Sequence, residues 1–110
     1  MTAPPPPPGD VPFVSVIVPT RDRRALLERL LATLLAQDWP RDRYEIIVVN
    51  NHTPDGTDAF VTSLAARSDV AIQYHRTDFA GAGASRQFGA ERARGSVLAF
   101  IDDDCRAAPG

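Results

Sequence analysis

The residues with the most pronounced chemical character are three consecutive aspartates, Asp102, Asp103 and Asp104, placed directly after the apolar run SVLAFI at 96–101. Like charges this close repel one another unless a cation neutralises them. Carboxylate oxygens suit hard divalent ions, and magnesium typically takes one or two carboxylates together with substrate phosphates. An isolated aspartate triplet is more often a solvated acidic turn that caps a following element; straight after a buried strand, it points to a metal-and-phosphate site. Three other segments concentrate polar residues: Pro19-Thr20-Arg21-Asp22, Asn50-Asn51-His52-Thr53-Pro54-Asp55, and the stretch from Thr77 to Arg86. In the last, Ser85 and Arg86 open a helix whose N-terminus offers N–H groups to an anion such as a diphosphate. The same stretch also reads as a loop leading into a small-residue helix packed close to its neighbours. Gly81 and Gly83 do not complete a dinucleotide fingerprint, because Arg86 occupies the third glycine position and the segment follows the third strand instead of the first. His52 and His75 lack metal-ligand spacing; His52 falls in a candidate turn, and His75 ends a strand, where a structural role is the expectation.

The elements that must position these residues alternate. VSVIVP at 14–19, YEIIVV at 44–49, VAIQYH at 70–75 and SVLAFI at 96–101 are short apolar runs of strand type. Between them, Arg23 to Gln37 carries leucines at 26, 27, 30, 31, 34 and 35, the stripe of an amphipathic helix. Asp22 is placed to cap its start, and Trp39-Pro40 stops it. Thr57 to Arg67 repeats the helical spacing with Phe60, Val61, Leu64 and Ala65, and residues 82–94 form an alanine-rich third helix that should end before Gly95 as its C′ residue. Strands alternating with helices imply parallel pairing through right-handed crossovers, hence an α/β open parallel sheet with helices on both faces. Strands one, two and four are apolar on both faces, as helix-covered strands are. Because all strands of such a sheet point one way, the polar segments that follow them gather on one edge, where ligands of open α/β sheets bind.

The 110 residues are 44% hydrophobic, enough for one small domain. The first twelve residues hold six of the ten prolines, so 1–12 reads as a solvated proline-rich tail and 13–110 as the folded part. No basic, apolar signal segment and no run approaching the roughly 20 apolar residues of a membrane span is present. A net charge of −2 gives no electrostatic footprint for nucleic acid. All basic side chains are arginine, which suits phosphate but equally follows from a GC-rich genome. The single Cys105 fits a reducing compartment.

From Val14 onward the chain resembles the family 2 glycosyltransferases of the GT-A fold. VSVIVPTRDRRALLERLLATLLAQDWP is similar to the family's opening strand and leucine-rich helix, EIIVVNNHTPDGT to its nucleotide-contacting turn, and GASRQFGAERARGSVLAFIDDD to its alanine-arginine-asparagine helix, glycine, strand and Asp-x-Asp motif. The resemblance implies that base and ribose contacts fall on Pro19, Thr20 and Asn51. It places Asp102 and Asp104 at Mg²⁺ or Mn²⁺, with Asp102 and Asp103 also near ribose, sugar or metal-bound water, and Arg86 near the diphosphate or the acidic cluster. Some positions depart from the pattern. Arg21 stands where an aromatic ring often stacks on the base, Asn50 and Asn51 where carboxylates are common, and Gln87 where the helix usually has asparagine.

The implied reaction is metal-dependent transfer of a sugar from a nucleotide-diphosphate donor to an unspecified glycan, lipid or small-molecule acceptor, of inverting type. The acceptor-deprotonating base is expected downstream of residue 110, so the chain is expected to be the donor-binding front part of a longer enzyme and inactive alone. The last strand is then expected to leave apolar surface in water. The expected location is the cytoplasm or the cytoplasmic face of a membrane. The competing reading is a non-catalytic module that binds a nucleotide or nucleotide sugar. A signalling receiver domain, which needs an acidic pair after the first strand and a late lysine, does not fit a chain without lysine.

Overall fold

The computed structural model describes residues 12–21, 24–51, 56–77 and 82–102. Seven elements alternate as expected: β1 (Val14–Thr20), α1 (Arg24–Leu35), β2 (Tyr44–Asn51), α2 (Thr57–Arg67), β3 (Ala71–Thr77), α3 (Ala82–Arg92) and β4 (Val97–Phe100). The four strands form one sheet in the order β3-β2-β1-β4, and every neighbouring pair is parallel. The chain therefore steps outward from β1 through β2 to β3 and then crosses to the other side of β1. That reversal creates a topological switch point between the carboxyl ends of β1 and β4, where open α/β sheets bind ligands.

Successive strand residues point to opposite faces, and the core divides accordingly. Val16, Val18, Ile46 and Val48 pack with Leu27, Leu30, Leu31 and Leu34 of α1 and Val61 of α2. Ile17, Ile47 and Val49 face the other way, against Phe88 of α3 and Ala93. Burying each of the four α1 leucines is worth roughly 1.5–3 kcal/mol, the main reason this stripe is helical here. α3 carries little apolar surface and compensates by approaching closely: a Cβ on Gly89 would lie 2.6 Å from Ile17 Cγ2. Gly56, with φ of 89°, supplies the left-handed residue that starts α2.

Three sequence expectations are corrected. α1 ends at Leu35 rather than Gln37, where bonds from the Ala36 and Gln37 amides to Thr33 and Leu34 tighten its last turn. α3 ends at Arg92, so Gly95 is not its C′ residue; glycine is needed there because a Cβ would meet the Phe13 carbonyl oxygen at 2.5 Å and Ser15 Oγ at 2.7 Å. Finally, β4 is not covered on both faces. Among the described residues it pairs with β1 alone and leaves Val97, Leu98 and Phe100 at 45%, 41% and 47% exposure, which is the apolar surface expected of the last strand. On the α1 side of that edge an apolar groove of about 240 Å³ opens among Val14, Val16, Leu34, Trp39, Tyr44 and Ile101. The expected cap Asp22 lies outside the described residues.

Candidate functional site

Parallel topology brings the strand-following segments to one edge. β1 ends beside β2 with Thr20 opposite Asn50, and β2 ends beside β3 with Asn50 opposite Arg76 and Asn51 opposite Thr77. On the other side of β1, the Ile101 amide donates to the Ile17 carbonyl at 3.1 Å, which carries β4 to the switch point and delivers Asp102 there. Pro19, Thr20, Asn50 and Asn51 are buried in the strand ends, whereas Arg21 and Asp102 are exposed.

The sheet's alternation sorts these residues. Pro19 and Asn51 lie on the α3 face, in line with Ile17 and Val49; Thr20 and Asn50 lie on the opposite face, in line with Val18 and Val48. Thr20 thus shares the edge with Asn51 and Asp102 but not the face, because a single residue of register separates the two. Arg86, in the first turns of α3, donates from Nη2 to Asp102 Oδ1 at 3.1 Å. Both side chains are partly exposed, so the pair adds little stability; it places a guanidinium and a carboxylate together at the switch point. His52, Asp103 and Asp104 lie outside the described residues, and among the described residues no three His, Cys, Asp or Glu side chains gather.

Two buried polar atoms near this edge belong to the Thr77–Arg86 stretch that the sequence marked as polar, and their burial is what the structure adds. Thr77 at the end of β3 is 8% exposed and Ser85 at the start of α3 is 1% exposed, and neither hydroxyl has a hydrogen-bond partner among the described residues. Buried polar groups are nearly always paired, so such orphans call for an explanation. Behind Asn50 runs a further chain that the sequence did not signal. Asn50 Nδ2 donates to the Tyr74 hydroxyl at 2.9 Å, Tyr74 donates to Asp58 Oδ1 at 2.5 Å, and Arg76 pairs with Asp58 Oδ2 at 3.5 Å. Burial, and then the bond to the Asp58 carboxylate, push the Tyr74 phenol up to about 12. His75 matches its structural expectation: its ring meets Phe88 edge-on, with centroids 5.4 Å apart, and bonds Gln73 Oε1. No helix among the described residues is long and apolar enough to cross a membrane.

The model of Glycosyl transferase family 2 matches residues 15–110. Glycosyltransferase AglE of Haloferax volcanii is 33% identical over 95 residues, covering 86% of this chain and 31% of AglE. Among solved structures, the mannosyltransferase PcManGT of Pyrobaculum calidifontis in complex with GDP-Man and Mn²⁺ superposes with a TM-score of 0.82 at 31% identity, covering 93% of this chain and 30% of that one. TarS of Staphylococcus aureus in complex with UDP gives 0.75 at 28% identity, covering 83% and 27%. The chain thus spans less than a third of the length of each of these relatives. The match starts at Ser15 in β1 and runs through the switch-point edge to Gly110, and on that extent the chain belongs to glycosyl transferase family 2.

Proposed function

We propose that this chain binds a nucleotide-diphosphate sugar and a divalent cation, Mg²⁺ or Mn²⁺, for an inverting sugar transfer carried out by the whole protein. The observation that carries the reading is the Arg86–Asp102 pair at the switch point of a parallel sheet. The neighbour PcManGT, in complex with GDP-Man and Mn²⁺, and the TarS complex with UDP support the ligand class.

In this reading Pro19, Thr20, Arg21 and Asn51 line the base and ribose, with Arg21 stacking its guanidinium plane where a ring would otherwise lie. Arg86 faces the diphosphate, and Asp103 holds ribose or sugar hydroxyls. The donor set suits a hard cation: Asp102 stands exposed at a strand end with Oδ1 on Arg86, and Asp104 would be the principal ligand beside it. A bound divalent ion offsets charge that develops on the departing diphosphate. The residues of this chain orient the donor and hold its charge; the base that deprotonates the acceptor is assigned to none of them.

Titration calorimetry of the full-length protein with Mn²⁺ and a panel of nucleotide sugars tests the reading. Asp104→Ala should lose about 1.5–3 kcal/mol of donor affinity, or about one to two decades. Unchanged binding in that variant, with or without metal, removes the metal role. Tight donor binding without transfer to any acceptor would favour a binding module instead.

A further inference from the structure

The hydrogen-bond chain behind Asn50 has a direction set by proton counting. A tyrosine hydroxyl has one proton to give. Here it is given to the Asp58 carboxylate, which can only accept, across 2.5 Å. The Tyr74 oxygen is then left as an acceptor, and residue 50 must be a donor, as the Nδ2 of Asn50 is at 2.9 Å. This logic also settles which end of the Asn50 amide faces Tyr74, an orientation that heavy-atom positions alone do not decide. The phenol's upward displacement to about 12 keeps that single proton in place across the physiological range. Asn50 is 1% exposed and lies on the sheet face opposite Asn51, so it anchors the end of β2 from behind.

We propose that Asp58 and Tyr74 are positioning residues forming a one-way relay, Asn50 to Tyr74 to Asp58, which holds the end of β2 so that Asn51 is set for the nucleotide, and which requires an amide rather than a carboxylate at residue 50. The proposal rests on the donor-binding reading above. A carboxylate at 50 would bring a second acceptor to a hydroxyl with one proton, leaving two acceptors facing each other across 2.9 Å. Reversing the relay restores the balance: with asparagine at 58 and aspartate at 50, the residue-58 amide donates to Tyr74 and Tyr74 donates to residue 50.

The test is a double-mutant cycle in the full-length protein, with Asn50→Asp, Asp58→Asn and the two combined, read as Tm and as affinity for GDP and for UDP in Mn²⁺. Asn50→Asp should lower Tm by several degrees and weaken binding of the recognised nucleotide by about tenfold or more. Asp58→Asn should change affinity by less than about threefold, because the amide carbonyl still accepts from Tyr74 and the lost pair with Arg76 is a surface one. The double variant should return to within about threefold of the parent affinity and recover its Tm. If Asn50→Asp does not fold, the double variant should fold and bind. An innocuous Asn50→Asp, or no rescue in the double variant, overturns the relay. Rescue of Tm without rescue of affinity overturns the positioning role alone. A parent protein that binds neither nucleotide, while the Tm cycle still shows coupling, defeats the donor-binding reading and leaves a purely structural relay.

Discussion

The two ends of the sheet treat buried polar groups in opposite ways. At the amino end, Glu45 is fully buried, yet each of its oxygens is satisfied. Oε2 accepts from Ser15 Oγ at 2.7 Å and the Arg94 amide at 2.8 Å, and Oε1 from Gln73 Nε2 at 3.0 Å and Arg94 Nε at 3.1 Å. Ser15 Oγ in turn accepts from the Gly95 amide at 2.8 Å. Burial pulls the Glu45 carboxyl upward, but the Arg94 amide, Ser15, Gln73 and the Arg94 guanidinium together outweigh it and hold the group below its usual range. At the carboxyl end, Thr77 Oγ1 and Ser85 Oγ are buried with no partner among the described residues, and the charged pair Arg86–Asp102 stands exposed. A saturated network ties β1, β2, β3 and the α3–β4 turn together and has nothing left to offer a ligand. An unsaturated edge costs stability in the free chain, which is what a binding edge is expected to do.

Removing Glu45 should break the comparison most severely. Glu45→Ala removes the acceptor of Ser15 Oγ and of the Arg94 amide, leaves Gln73 Nε2 only its bond to the Arg92 carbonyl, and should cost about 3–5 kcal/mol of unfolding free energy. Nucleotide affinity per folded molecule should not change. Denaturant melts beside calorimetry separate the two, and an affinity loss without a stability loss would erase the division between the ends.

Acid should act on the same end. Because the folded-state pKa of Glu45 is depressed, its contribution is present above the unfolded value of about 4.3 and is lost as pH falls through the lower folded value. Glu45→Gln should therefore flatten the acid limb of a stability–pH profile below about pH 4.5 while leaving its shape near neutrality unchanged. A parallel acid limb in both proteins would remove Glu45 from the account.

At the binding edge the signs should reverse. Arg86→Gln should cost no more than about 1 kcal/mol of stability, since the pair is exposed, yet weaken donor binding by about tenfold through a lost charge-assisted contact. The smallest effect is expected at Ser85. Ser85→Ala removes an unpaired buried hydroxyl and should leave stability unchanged or raise it by up to about 1 kcal/mol. A destabilisation above that would show that this hydroxyl has a partner in solution and is not part of an unsaturated edge.

The order and type of all seven elements were legible in the chain because their signals are local. The leucine spacing of α1, the β-branched runs of β1 and β2 and the turn residues at 54–56 each act within a dozen positions. The parallel rule then carried Thr20, Asn51 and Asp102 to one edge without any knowledge of strand order. Tertiary structure decided what no local pattern encodes. Whether β4 is central or peripheral depends on the order β3-β2-β1-β4, and a strand apolar on both faces reads the same in either place until its neighbours are known. The face on which a strand-end residue lies turns on one residue of register, which separates Thr20 from Asn51. Glu45 looked like an ordinary strand residue because its partners Ser15, Gln73 and Arg94 are 30, 28 and 49 positions away. The Asn50–Tyr74–Asp58 relay likewise spans 24 and then 16 positions. Hydrogen bonds are satisfied in space, within about 3 Å and along particular directions, so contacts of this kind exist only once strand order and register have been chosen.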